Sequence, residues 1–220
     1  MKRIGCLILI LCVSVIFASC DEMNNIILNN MSDLRVNYYE GQNDIFYASL
    51  SCGYREQEFA YDGISTTPIE CGVITLEFFA ESTYKSVAII LNVQGVEKEC
   101  ILERSPYENI YMEDIGEIVN QEYITIKLKN TENIAKLNMV SNYWTIDYKK
   151  AISTAQEYFR EELTSLYFNN KLNAECYLKI IFKKEFENRY YYFSIIDRAG
   201  NNYSCLIDVS TGNIISNAQN

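Results

Sequence analysis

The sequence predicts a mainly β protein with an added α+β unit: a β-sandwich, then one helix and three antiparallel strands. Short runs in which apolar and polar residues alternate fill residues 34–129, and apolar residues at helical spacing follow between Ala151 and Leu166. Hydrophobic residues make up 49% of the 220 residues and charged residues 22%, a composition typical of a folded chain.

The first block contains the signals of a β-sandwich. Val87, Ile89 and Leu91 alternate with other residues, and Gln94-Gly95 is typical of a tight turn between two strands. About seven short strands separated by turns favour an immunoglobulin-like sandwich. The predicted strands are 34–39, 44–52, 56–61, 73–79, 86–93, 96–103 and 122–129. The segment 105–119 fits either a strand or a helical turn.

The second block begins after a polar join at residues 130–144. Thr145 is a plausible N-cap, Asp147 suits the first turn of a helix, and the helix should end near Asn169 and Asn170. Turn-like residues separate three alternating runs that follow the helix. These predicted strands are 175–183, 189–197 and 202–209.

The second block resembles the PepSY domain over residues 145–216. The resemblance rests on Thr145-Ile146-Asp147 leading to Ala151 and Ala155, and on a strand that ends in an acidic residue before a Thr-Gly turn. That turn contains Asp208, Thr211 and Gly212. Gly212 suits a backbone angle that other residues resist, and Asp208 or Thr211 can accept hydrogen bonds from turn amides. The resemblance implies a non-catalytic module that restrains a secreted peptidase or binds another envelope protein.

The N-terminus has the pattern of an export signal. Lys2 and Arg3 precede an apolar stretch at residues 4–17, which is shorter than the about 20 residues of a membrane-spanning helix. The sequence Phe17-Ala18-Ser19-Cys20 resembles the lipobox of bacterial lipoproteins, which implies that Cys20 is lipidated. Residues 1–19 would then be the signal peptide and 20–33 a tether, with the protein anchored on the extracytoplasmic face of the cell membrane. The alternative is an ordinary secretory signal cleaved near Ala18 or Ser19.

The composition excludes several kinds of chemistry. The chain has no histidine, which removes catalysis and metal binding by imidazole. Lys2 and Arg3 would leave with the signal, so the mature chain carries a formal net charge of −12 and would repel nucleic acid. Motifs for nucleotide or metal binding are missing from the sequence. We therefore expect no enzyme activity and no cofactor.

Five cysteines follow the lipobox, and no two of them have C-x-x-C spacing. Cys176 and Cys205 alternate with apolar residues, which indicates inward-facing strand positions. In a three-stranded meander they lie on the two outer strands, too far apart for a disulfide. We therefore predict two free core thiols, while the pairing of Cys52, Cys71 and Cys100 stays open.

Tyrosine is unusually frequent, with 18 residues and three in succession from Tyr190 to Tyr192. Successive strand residues point to opposite faces, so either Tyr191 or its two neighbours must turn away from the core. The sequence thus predicts an anchored interaction protein with a protein partner in the cell envelope. The alternative is a lipoprotein whose sandwich holds a peptide or a glycan. A flat tyrosine-bearing sheet face would favour the first, and a large pocket with convergent polar groups the second.

Overall fold

One large sheet organises the molecule. The computed structural model describes residues 25–56, 67–106, 108–169, 171–183 and 188–219. Among these residues, 12 strands join in a single sheet, and eight of the 12 close into an antiparallel barrel. The remaining four strands extend from the barrel as an open sheet.

The barrel consists of strands β1 to β8. Their order around the barrel is β1, β2, β3, β6, β5, β4, β7 and β8, and β8 pairs with β1 to close it. The bounds are β1 Met31–Gln42, β2 Phe46–Arg55, β3 Ile69–Phe78, β4 Ser86–Val93, β5 Val96–Arg104, β6 Ile110–Asp114, β7 Tyr123–Leu128 and β8 Ile134–Met139.

The C-terminal part contains two helices and six strands. A 3-10 helix, Ser141–Tyr143, leads into α1 Tyr148–Tyr158 and α2 Arg160–Leu166. Strands β9 Tyr167–Phe168 and β10 Lys171–Leu172 form a small separate hairpin. The open sheet consists of β11 Ala174–Lys183, β12 Asn188–Asp197, β13 Asn202–Asp208 and β14 Ile214–Gln219.

The predicted immunoglobulin-like sandwich is wrong, because the first block forms a closed barrel. The strands at 86–93 and 96–103 are confirmed to within a residue, and the ambiguous segment 105–119 contains β6. The expected join at 130–144 contains β8, the strand that closes the barrel. Alternation gives every strand one inward face in both architectures, so it cannot distinguish a barrel from a sandwich.

The predicted unit of one helix and three strands is also wrong, and with it the PepSY-like fold. The three predicted strands are present as β11, β12 and β13, but β14 extends the sheet on one side. On the other side β11 pairs in parallel with the start of β1. The sheet therefore continues from β11 into the barrel.

The helix begins and ends at residues other than those predicted. Asp147, and not Thr145, is the N-cap of α1, because its side chain accepts the Lys150 amide at 2.8 Å. The Thr145 amide instead donates to the carbonyl of Val209. At Phe159 the backbone leaves helical geometry and α2 begins, so the predicted single helix is two.

The described residues form two hydrophobic cores. Inward side chains fill the barrel, and Tyr39, Phe46 and Tyr111 are among its largest fully buried members. Such filling is usual for an eight-stranded barrel. The second core lies between the helices and one face of the open sheet, and contains Ile152, Phe159, Leu178, Tyr191 and Phe193.

An ion pair and stacked rings hold the open sheet against the outside of the barrel. Arg189 in β12 donates to both oxygens of Glu40 in β1, with Nε at 2.8 Å from Oε2. The Tyr47 hydroxyl donates to the same carboxylate at 3.1 Å. The Phe182 ring stacks on Tyr47 with centroids 5.7 Å apart and also faces the Arg189 guanidinium. Glu40 and Arg189, which lie 149 positions apart in the sequence, thus share one partly buried contact.

Closure of the barrel depends on a close approach of β1 and β8 at Gly41. A Cβ atom added to Gly41 would lie 2.0 Å from the carbonyl oxygen of Lys136. Gly41→Ala should therefore lower the free energy of unfolding by about 2 kcal/mol or more, measured by denaturant titration. Gln42→Ala changes the adjacent exposed position and serves as the control. Equal stability of the two variants would contradict this account of closure.

Candidate interaction surface

The alternation of β12 separates its three consecutive tyrosines between the two faces of the open sheet. Tyr191 is buried in the core beside Phe193 and Ile195. Tyr190 and Tyr192 therefore belong to the opposite face, which resolves the alternatives that the sequence left open. Tyr190 is buried, but no described residue of that opposite face belongs to either hydrophobic core. We call this face, on β11 to β14, the tyrosine face.

Cross-strand pairs define two rows on the tyrosine face. In the first row Lys179 lies opposite Tyr192, which lies opposite Leu206. In the second row Tyr177 lies opposite Ser194, which lies opposite Ser204, and both serines are buried. Tyr190 is buried as well, while Tyr177 and Tyr192 are half-buried and Lys179 is exposed. The sequence could have indicated that Tyr177 and Lys179 face away from the core, because they alternate with the core residues of β11.

Charged groups and hydroxyl groups make the tyrosine face polar. Lys179 Nζ lies 5.7 Å from the centroid of the Tyr177 ring and 3.9 Å from Asp33 Oδ2. The Tyr177 hydroxyl donates to Glu175 at 2.6 Å, and burial together with this carboxylate raises the Tyr177 pKa. Burial alone would raise the pKa of Tyr192, but hydrogen bonds with Ser204 and other neighbours and the charge of Lys179 lower it.

Next to the tyrosine face, a buried ion pair stabilises the start of β1. Arg35 Nε lies 2.7 Å from Asp33 Oδ1, and Arg35 Nη1 donates to the Ser51 carbonyl at 3.1 Å. Burial would lower the Arg35 pKa, but the hydrogen bond and charge of Asp33 outweigh it and raise the pKa. The pair joins β1 to β2 and is structural.

The Thr-Gly turn predicted from the sequence connects β13 to β14. Asp208 Oδ1 accepts the amides of Ser210 at 2.8 Å and Thr211 at 2.9 Å, and the Gly212 amide donates to the Asp208 carbonyl. Burial opposes ionisation of Asp208, but these hydrogen bonds outweigh it and lower the pKa. Gly212 has φ 75°, a left-handed conformation that favours glycine. The turn residues position β14, and Asp208 is the cross-strand partner of Tyr190.

Gly212→Val should lower the free energy of unfolding by about 1 kcal/mol or more, because valine resists positive φ. An added Cβ would also lie 3.1 Å from Ile146 Cγ2. Gly95→Val is the matched control, since Gly95 has φ 84° but no atom within 4 Å of its added Cβ. Thermal melts should show a larger loss at Gly212 than at Gly95, and a reversed order would contradict the role of the Ile146 contact.

Five cysteines of the described residues are free and buried. Cys176 and Cys205 lie in the second core on β11 and β13, with β12 between them, which confirms the predicted free core thiols. Burial raises the pKa of Cys52 to about 11 and those of Cys176 and Cys205 to about 12. These thiols are therefore packing groups and not nucleophiles.

Native protein should react very slowly with a thiol reagent such as Ellman's reagent at pH 8, because little thiolate forms so far below the raised pKa values. Complete reaction of Cys52, Cys71, Cys100, Cys176 and Cys205 should follow addition of guanidinium chloride. Reactivity should increase as the pH approaches 11 while the protein stays folded. Rapid reaction of any one of these thiols at pH 8 without denaturant would contradict the assignment.

The other sequence candidates do not form a site within the described residues. Cys20 lies outside them, so its lipidation stays a prediction. Asp114 of β6 binds Arg55 of β2 at 2.9 Å. No three His, Cys, Asp or Glu side chains in these ranges group as metal ligands would. The described helices include none that is long and apolar enough to span a membrane.

Comparison with known proteins gives no relative: no protein-family model, no curated protein and no solved structure matches this chain.

Proposed function

We propose that this protein is a lipid-anchored, extracytoplasmic interaction protein that binds a protein partner and catalyses no reaction. The observation that carries the proposal is the tyrosine face, a sheet surface that neither hydrophobic core of the described residues includes. Tyr177, Lys179 and Tyr192 form its centre. Tyrosine is enriched at protein interfaces, since its ring gives a large contact area and loses little entropy on binding.

The chemistry of the face favours a folded protein partner. The tyrosine hydroxyls and the Lys179 ammonium group can bind polar groups, while the rings bury apolar area. An ammonium group beside two rings also accommodates a partner carboxylate, although the chain as a whole is acidic. A sheet face suits a protein partner better than a small ligand, which needs a concave site.

The alternative role in binding a peptide or glycan has weaker support. The predicted sandwich is a barrel whose interior is filled by side chains. The described residues of the barrel interior therefore leave no site for a peptide or a glycan. A shallow groove of about 270 Å³ lies on the helix side of the sheet. Its lining is Leu28, Met31, Leu34, Tyr54 and Pro68. This lining is apolar apart from one tyrosine and lacks the convergent polar groups that orient a ligand.

The partner is tested by substituting the centre of the tyrosine face. The protein, immobilised by its N-terminal end, is exposed to solubilised envelope proteins, and bound proteins are identified by mass spectrometry. Affinity for the purified candidate is then measured. Tyr192→Ala should weaken binding about tenfold or more, as expected for an aromatic residue at the centre of an interface.

Tyr143→Ala is the matched control, because Tyr143 is highly exposed and lies outside the tyrosine face. Its affinity should equal that of the unchanged protein. Equal affinities of Tyr192→Ala and Tyr143→Ala would refute the tyrosine face as the binding surface.

The anchor is tested separately. Cys20→Ala should abolish incorporation of labelled fatty acid and leave an unprocessed precursor, since the thiol is the acceptor of the lipid. Ser19→Ala keeps a small residue before the cysteine and should leave labelling intact. Labelling that persists in Cys20→Ala would refute the lipid anchor without bearing on the tyrosine face.

A further inference from the structure

Strand β14 is the edge of the open sheet. Its residues Ile214 to Gln219 pair with β13 on one side, and none of the described strands pairs with it on the other. Residues 215–218 are exposed. The outer side of an edge strand presents backbone N–H and C=O groups without ladder partners, and a further strand can pair with them. The backbone of β14 therefore suits an extended strand as its partner.

Most of β14 lacks the features by which proteins keep exposed strands from pairing. Residues Ile214 to Gln219 include no charged side chain and no proline. A bulge interrupts the ladder at Ile215, but Ser216 to Gln219 pair with β13 in regular register. Charges, prolines and bulges are the usual protection of exposed edges. The regular part of β14 is therefore open to a second strand.

Another partly unpaired edge of the same sheet is protected by charge. β6 pairs with β5 only at Glu103 and Arg104, so most of that side of β5 has no strand partner among the described residues. The unpaired stretch contains Glu97, Lys98 and Glu99. Charged side chains in such a row oppose the approach of another strand. The absence of charge on β14 thus distinguishes the two edges.

The side chains of β14 leave room for a second strand at its edge. Ser216 and Ala218 are small and continue the two rows of the tyrosine face. On the opposite face the Asn217 side chain donates to the Tyr158 hydroxyl at 2.6 Å, and the Tyr158 side chain is 47% exposed. Helix α1 packs over β12 and β13. A strand can therefore approach β14 in the plane of the sheet, with the Tyr158 ring beside it.

A second copy of this chain is the partner that fits the edge. The chain is acidic, so two copies repel each other wherever their carboxylates meet. Pairing through β14 places no like charges opposite each other, because β14 has none. Two identical strands pair antiparallel about a two-fold axis, which makes the edge complementary to itself. Ser216, Asn217 and Gln219 supply polar side chains that can form hydrogen bonds across the axis.

We infer that β14 is a dimerisation edge, at which two copies of this chain pair antiparallel and join their open sheets. The two-fold axis is perpendicular to the sheet, so both tyrosine faces lie on the same side of the joined sheet. Asn217 and Tyr158 of one copy approach those of the other on the opposite side. The pairing of β14 does not rest on the proposed function, but its consequence does: a partner that contacts both tyrosine faces binds with increased avidity.

The pairing is tested by cysteine crosslinking of the full chain in the cells that produce it. Ser216→Cys, Asn217→Cys and Ala218→Cys are made singly, and the cells are treated with a mild oxidant before non-reducing electrophoresis. A disulfide requires Cα atoms within about 7 Å, so the position beside the two-fold axis should give a crosslinked dimer. Tyr143→Cys is the matched control at a highly exposed position outside the edge, and it should give none.

A charged variant tests the chemistry of the edge. Ser216→Lys/Ala218→Lys should raise the dissociation constant of the dimer about tenfold or more, because like charges then face each other across the axis. Gln42→Lys/Val96→Lys adds the same charge at exposed positions outside the open sheet and is the control. Added lysines lower the net negative charge of the chain, so long-range repulsion alone predicts the opposite effect. Sedimentation equilibrium of the full chain in detergent measures both constants, and circular dichroism verifies folding.

Three results would overturn the inference: no crosslink at any of the positions 216–218, an equal crosslink at position 143, or equal dissociation constants of the two lysine variants. The two proposals fail separately. Tyr192→Ala should leave the β14 crosslink unchanged, so failure of the partner experiment does not bear on the dimer. A missing crosslink would refute the dimer and leave the tyrosine face as the proposed binding surface.

Discussion

The whole structure depends on the fact that β1 pairs with three other strands. Its start pairs in parallel with β11, its end pairs with β8, and β2 lies along its other edge throughout. A bulge at Val36 divides the two parts, and Gly53 opposite allows the Leu34 carbonyl to approach closely. Bulges bend a strand and increase its local twist. The bend lets β1 leave the open sheet and enter the barrel.

Side-chain contacts stabilise the geometry that this strand creates. Past the bulge, β11 diverges from β1, and the Glu40–Arg189 ion pair joins the barrel to β12. Trp144 packs between Tyr38 of the barrel and Tyr191 of the open sheet, with ring centroids 6.0 Å and 5.4 Å away. A partly buried carboxylate without its guanidinium would be costly, so the pair favours this arrangement over a detached sheet.

The sequence predicts the strands of this protein better than their arrangement. Alternation locates β4 and β11 closely, because each has one inward face. Alternation contains no information on which strand pairs with β1, so it predicts neither the closure of the barrel nor the parallel pairing. β8 has the same alternation at Ala135, Leu137 and Met139, but the polar residues around it indicate a join. Thr145 is not the N-cap, because its amide donates to the carbonyl of Val209, which is distant in sequence.

The tyrosine face was partly predictable from the sequence. Consecutive tyrosines in one strand require that some of them turn from the core, whatever the fold. The neighbours of the face were not predictable, because only the parallel pairing of β1 with β11 brings Asp33 to within 3.9 Å of Lys179.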